Sequence, residues 1–286
     1  MTIKGGSDLL REQLDIIYGT YNKKEYIHPD PLEFLDNYPD PGEREIAALI
    51  AASLAYGRVD QILKHVALVF KIMCQSGHAF PLDSYPLNAY LMQNKNENIA
   101  DDFRHFKYRF TKGEHLVYLL FGIKEILREF GSLKLFFLNA ISPEDKNILP
   151  ALTRFIQKIT AGKSTGNLLA DPQKGSACKR NNLFLRWLVR KDAVDPGGWD
   201  EIPSSMLVVP LDTHMHHAGK ILGFTKRKQA DMKTALEITE GFRELSPDDP
   251  VKYDFCLTRF GIRPDMNFND LETIIKKIKG GVSDET

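Results

Sequence analysis

An all-α protein arranged as a two-lobed helical bundle is predicted by three observations. Apolar residues recur at helical spacing along most of the chain, no alternating apolar–polar run is long enough to build a sheet, and N- and C-terminal helices flank a middle segment able to pack as its own bundle. The middle lobe is expected over 75–170 and the terminal lobe over 1–74 plus 171–286, within a single unit spanning 1–286.

The elements follow in order. Residues 9–21 carry Leu10, Leu14, Ile17 and Tyr21 at steps of four, three and four, an amphipathic helix behind the capping residues Ser7 and Asp8. Two prolines and a glycine break the chain at 37–42. The segment EREIAALIAASLA, 43–55, is rich in Ala with acids in its first turn, which favours a helix entering the core. Tyr56, Gly57 and Arg58 read as a sharp turn, because glycine takes positive φ at little cost, and a second helix follows at 59–74. A Pro-bearing connection with a short helix at 87–92 leads to helices at 113–130, 133–140 and 143–160, the last opening on Ser142-Pro143-Glu144-Asp145. Residues 161–176 are polar and read as a loop, and helices follow at 177–190, 213–222, 228–245, 250–260 and 269–279.

Composition bounds the function. The 286 residues hold 38 Lys plus Arg against 38 Asp plus Glu, so the net charge is zero and a uniformly basic coat for nucleic acid is excluded. Three separated cysteines, Cys74, Cys178 and Cys256, give neither a disulfide framework nor a clustered thiol site. There is no apolar run of about 18 residues and no secretion signal, so a cytoplasmic protein is expected, without membrane contact.

Charge is nevertheless uneven. Residues 1–60 hold eleven acids and six bases, whereas 172–191, PQKGSACKRNNLFLRWLVRK, holds six bases and no acid. On a helix Lys179, Asn182, Arg186 and Arg190 stack on one side while Phe184, Leu185 and Leu188 fall opposite, so one face can meet a phosphate chain and the other the core. Gly175 and Ser176, just before it, are expected to offer backbone N–H groups to an anion. The competing reading is a solvated amphipathic face.

A second segment, Val208-Val209-Pro210-Leu211-Asp212-Thr213-His214, is an apolar approach that ends with Asp212 at a helix N-cap. Capping alone accounts for an Asp there. A cap also fixes the aim of the carboxylate and keeps it ionised, which suits a reaction through a cationic sugar. His214, His216 and His217 beside Asp212 open a metal reading as well, although only His214 and His217 share a helix face.

With these residues the sequence resembles the helix–hairpin–helix DNA glycosylase superfamily, and within it a bacterial family similar to the archaeal 8-oxoguanine DNA glycosylases. PLDTH resembles the signature whose aspartate is catalytic, which implies that role for Asp212. LIAASLAYGRVDQILKHV, 49–66, resembles the early helix–turn–helix that meets the duplex, where Tyr56, Gly57, Arg58 and Gln61 stand. KGSACKRNNLFLRWLVR, 174–190, lies where the hairpin and its catalytic lysine belong, which implies Lys179 as nucleophile and Arg186 in place of a second basic residue. The usual leucine-proline-glycine-valine-glycine hairpin is absent, replaced by 172–176, and the resemblance leaves the middle segment unexplained.

The implied activity is removal of a damaged base, with 8-oxoguanine the substrate of the nearest branch, by a lysine nucleophile or by an activated water in its place; the lysine route passes through a Schiff base that permits strand cleavage. The implied partner is double-stranded DNA carrying a damaged base, so a bacterial protein would sit at the nucleoid, and no cofactor or metal is implied. Lys174, Arg180, Arg190 and Arg58 are expected on phosphates and His214 on the cleft wall; Trp187, Tyr56 and Phe184 are available to stack on a base, with core packing the favoured reading for each, Phe184 above all. The alternatives are a nucleic-acid-binding module without catalysis and a His/Asp metal-dependent hydrolase.

Overall fold

In a computed structural model, which describes residues 4–75 and 87–281, the chain is mostly helical. The α-helices are α1 (Lys4–Tyr21), α2 (Pro41–Leu54), α3 (Val59–Gln75), α4 (Leu87–Gln93), α5 (Asn96–Phe103), α6 (Gly113–Phe130), α7 (Leu133–Asn139), α8 (Leu149–Thr160), α9 (Lys179–Val189), α10 (Thr213–Leu222), α11 (Met232–Leu245), α12 (Asp254–Ile262) and α13 (Phe268–Gly281). One antiparallel ribbon, β1 (Lys107–Tyr108) with β2 (Thr111–Lys112), interrupts them. Among the described residues no helix is long and apolar enough to cross a membrane.

Two helices with little exposed surface form the centre. Every residue of α2 from Glu45 to Leu54 is buried, as is every residue of α9 from Asn181 to Val189, and the two helices pack on each other. A helix apolar on all sides belongs inside a core. Around this pair, α4, α5, α7 and α8 pack on α6, whereas α1, α10 and α12 each pack on α13. The buried side chains of both groups belong to one continuous core. In α6, Gly122 lies where a Cβ would strike the backbone carbonyl of Ile159 in α8, so only glycine permits this approach.

Polar side chains set several helix starts. Asp40 caps α2 by accepting from Glu43 N at 2.9 Å, and Ser132 caps α7 through Leu135 N at 3.0 Å. Glu45, buried in α2, accepts from Leu133 N at 2.6 Å, Lys134 N at 3.0 Å and the Trp199 indole at 3.1 Å, tying the start of α7 to the central helix. Burial pushes its carboxyl up to about 7 in spite of these donors.

The structure departs from the predicted elements in local ways. Ser142–Asp145 is a turn in which the Asp145 carboxylate accepts from Ser142 N, and α8 starts only at Leu149, whose N–H donates to Asn147 Oδ1 at 3.0 Å. The α11 helix starts at Met232, because Asp231 caps it through Thr234 N, and α12 starts at Asp254. Neither α5 nor the ribbon is foreseen by periodicity: α5 buries only Ile99 and Phe103, and each strand has two residues. Residues 76–86 of the predicted connection lie outside the described residues.

Candidate active site

Three helix N-termini, those of α9, α10 and α11, meet at one cleft. Before α9 the chain makes a single turn of 3-10 helix, Pro172–Lys174, then passes through positive φ at Gly175 (77°) and at Cys178 (49°). The carbonyl of Gly175 accepts from Met232 N at 3.1 Å, which attaches this loop to α11. A non-glycine residue in the left-handed region is strained, and Cys178 is held there by burial and by its thiol, which donates to Ala170 O and Ser176 O at 3.3 Å. The next residue, Lys179, opens α9.

The other half of the site arrives on a buried run. Leu207, Val208, Val209 and Leu211 are in the core, and Val209 N donates to Thr239 Oγ1 at 3.1 Å, so Asp212 is delivered on a rigid segment. Asp212 caps α10: its Oδ1 accepts from His214 N and Met215 N, both at 2.9 Å. Its other oxygen, Oδ2, lies 3.8 Å from Lys179 Nζ, beyond direct hydrogen-bond range but within an ion pair. Both side chains keep solvent access, 33% for Lys179 and 23% for Asp212.

Lys179 forms part of the wall of a cleft of about 430 Å³, within the range of small-ligand sites. Tyr56, Phe110, Asn181, Leu211 and Asp231 line it as well. Asp231 caps α11, and the Thr234 N–H and paired Arg227 hold its carboxyl below the ordinary range.

The structure brings Lys179 and Asp212 together, but it does not form the expected basic face. Arg186 and Arg190 are buried at 3% and 4% exposure. Arg186 pairs with Asp195 at 3.1 Å and with Asp254; Arg190 pairs with Asp192 at 2.8 Å, Asp249 at 2.9 Å and Asp195. Burial opposes their charge, yet the surrounding carboxylates outweigh it and raise both guanidinium pKa values. Neither can reach a phosphate chain: their counter-acids lie outside 172–191, so the missing acids were a matter of sequence window and not of space. Trp187 and Phe184 are fully buried, so of their two readings core packing holds and stacking on a base does not.

Arg180 is likewise committed. Its guanidinium donates to Ser53 O at 2.8 Å and to Asn167 O, and lies 4.9 Å from the Tyr56 ring, so it clamps the cleft wall rather than a phosphate. Burial lowers its pKa. The N–H of Gly175 donates to Pro172 O at 3.1 Å and is not offered to an anion. Lys174 and Ser176 are exposed beside the cleft.

The early helix–turn–helix reaches the cleft through Tyr56, whose hydroxyl bonds to Tyr108 O at 2.8 Å and Thr111 Oγ1 at 2.7 Å. Gly57 takes φ +95° as expected of the turn, and Arg58, exposed, lies 3.2 Å from Asp60. Gln61 is exposed too, and its amide donates to Asp60 at 3.2 Å. His214 and His217 flank the Phe268 ring at 6.5 and 4.6 Å, while His216 faces the Arg227 carbonyl at 3.0 Å. Among the described residues no three His, Cys, Asp or Glu side chains are grouped to hold a metal, so these histidines do not form the ligand set that the hydrolase alternative needs.

Sequence reasoning missed Phe110, Asn181, Asp231 and Asp254. Asp254, buried at the start of α12, pairs with Arg186; burial, with the charge of Asp212 adding to it, pushes its carboxyl up to about 6 despite that partner. A signal for Phe110 was present: Arg109-Phe110 between β-prone Tyr108 and Thr111, flanked by lysines, reads as a hairpin tip.

Comparison with curated proteins gives no match, and neither does comparison with solved structures. Residues 30–263 match the family described as "Protein of unknown function (DUF2400)", a span that includes the cleft, Lys179 and Asp212. With most of its length matched, the chain belongs to the DUF2400 family.

Proposed function

We propose that the protein is a DNA glycosylase that removes a damaged base from double-stranded DNA, with Lys179 as nucleophile and Asp212 as the supporting carboxylate. The observation that carries this reading is the 3.8 Å approach of Lys179 Nζ to the one Asp212 oxygen not used in capping, at the edge of a cleft of nucleobase-binding size.

The damaged nucleotide leaves the stack and its base enters the cleft, at a cost that is least for a lesion or mismatch. Lys179 attacks as the free amine, its proton passing to the solvent that reaches this side chain, so that Asp212 stays ionised beside it. The Nζ lone pair forms a bond to the anomeric carbon as the glycosidic bond breaks, and its electron pair leaves with the base, which takes up a proton. Positive charge gathers on the sugar along this path, and a fixed carboxylate stabilises it. Protonation of the ring oxygen then opens the sugar to a Schiff base, from which elimination of the 3′ phosphate breaks the strand or water releases the enzyme. The nearest branch suggests 8-oxoguanine as the base. Phosphate contacts fall to exposed Lys174 and Arg58, since Arg180, Arg186 and Arg190 are engaged within the protein.

The test is base release from duplexes that each carry one modified base, in the presence of EDTA. Release from at least one lesion, lost in Asp212→Asn, supports the reading. No release from any lesion, or undiminished release by Asp212→Asn, overturns it.

A further inference from the structure

On the rim of the cleft, β1 and β2 pair Tyr108 with Thr111, which leaves Arg109 and Phe110 as a two-residue tip. Phe110 is 71% exposed, the largest exposure of any large hydrophobic side chain among the described residues, and it also lines the cleft beside Lys179. An aromatic ring standing in solvent costs burial that the core would otherwise gain. Arg109 adopts φ 50°, where hairpins ordinarily use Gly, Asn or Asp. Strain of this kind persists where neighbouring structure imposes it, and clusters at functional surfaces.

The tip is firmly held. The Tyr56 hydroxyl bonds to the Tyr108 carbonyl and the Thr111 hydroxyl, and Thr111 Oγ1 donates to Asn167 Oδ1 at 2.9 Å. A Cβ on Gly57 would stand 2.6 Å from Arg109 Nη1, so the helix–turn–helix and the hairpin tip are packed into one rim. The exposed cations Lys107 and Arg109 flank the ring.

We infer that the Arg109–Phe110 tip is a contact for duplex DNA at an interrupted stack, where the Phe110 ring occupies the space left by a missing or extruded base and Lys107 and Arg109 meet the adjoining phosphates. An apolar wedge between base steps, flanked by cations, is a chemistry that nucleic acid recognises and that a protein core does not need. This inference rests on the glycosylase reading for its partner. It assigns a role to the middle segment, which no motif in the sequence explains.

The test compares affinities for a perfect duplex and for the same duplex with one tetrahydrofuran abasic analogue, using the full chain and its variants Phe110→Ala and Phe110→Trp. Because Phe110 is exposed, both variants are expected to melt like wild type. Wild type should prefer the interrupted duplex; Phe110→Ala should lose about tenfold on it and less than about twofold on the perfect duplex, and Phe110→Trp should keep the preference. A wild-type preference undiminished in Phe110→Ala overturns the inference and assigns the ring to another partner, such as a protein. If that result accompanies base release by wild type, the glycosylase reading stands alone. If wild type binds neither duplex, both fall.

Discussion

The Nζ atom of Lys179 lies 3.8 Å from Oδ2 of Asp212, while Oδ1 of the same carboxylate is held by the N–H groups of His214 and Met215. One oxygen aims the group and the other faces the amine, so capping and chemistry are separable by mutation. Asn caps as well as Asp, so Asp212→Asn is expected to change stability by less than about 0.5 kcal/mol, whereas Asp212→Ala loses about 1 kcal/mol. Base release should fall about a hundredfold or more in both. Thermal melts beside excision rates check this, and a loss of excision matched by an equal loss of fold in Asp212→Asn would contradict it.

The buried cluster around Arg186 predicts a large stability effect. Replacing Arg186 by Met leaves the carboxylates of Asp195 and Asp254 without one of their cations in the core, which is expected to cost about 3–5 kcal/mol. Denaturant unfolding measures it. A change below about 1 kcal/mol, the size expected for an exposed ion pair, would contradict the burial of this cluster.

Glu45 predicts a pH dependence. Burial raises its carboxyl from 4.5 to about 7, so between these values the native state holds a proton that the unfolded chain has released. The associated stabilisation is complete below the lower value and is lost as pH rises through the upper one. Glu45→Gln has no such proton, and the melting temperature of wild type minus that of the variant should fall between about pH 5 and pH 8. Asp254 titrates in the same sense but is common to both proteins and drops out of the difference. A difference independent of pH would contradict the assignment.

Gly57 joins the turn to the hairpin rim. With φ +95° and a Cβ that would meet Arg109 Nη1 at 2.6 Å and Tyr108 Oη at 3.1 Å, Gly57→Ala should destabilise by about 1–2 kcal/mol. Thermal melting checks this, and an unchanged midpoint would mean that the turn and the hairpin are not packed together.

Much of the fold was legible because helical spacing and caps are local. The α6 and α10 helices begin and end where periodicity and caps put them, and Asp212 is the cap its sequence implies. The α8 start was misread because Ser142-Pro143-Glu144-Asp145 closes on itself as a turn, an alternative that Ser and Asp side chains offer to any backbone. The basic face was misread for a different reason. Reading Arg186 and Arg190 as buried needs knowledge of their counter-charges: Asp192 and Asp195 stand just past the helix, but Asp249 and Asp254 arrive from about sixty residues further along the chain. One local warning existed: Leu183, Phe184, Leu185, Trp187, Leu188 and Val189 surround the helix on nearly all sides, the pattern of a buried helix and not of a surface one.

The proposed function stands or falls on attack by Lys179 at the sugar of a damaged nucleotide. The most direct measurement is borohydride trapping on a lesion-bearing duplex, with peptide mapping of the cross-linked residue. A covalent adduct mapped to Lys179, and absent in Lys179→Gln although that variant still binds the duplex, is the predicted result. An adduct that persists in Lys179→Gln or maps to another lysine such as Lys174 or Lys191 would contradict it, as would base release by wild type with no trapped adduct on any lesion.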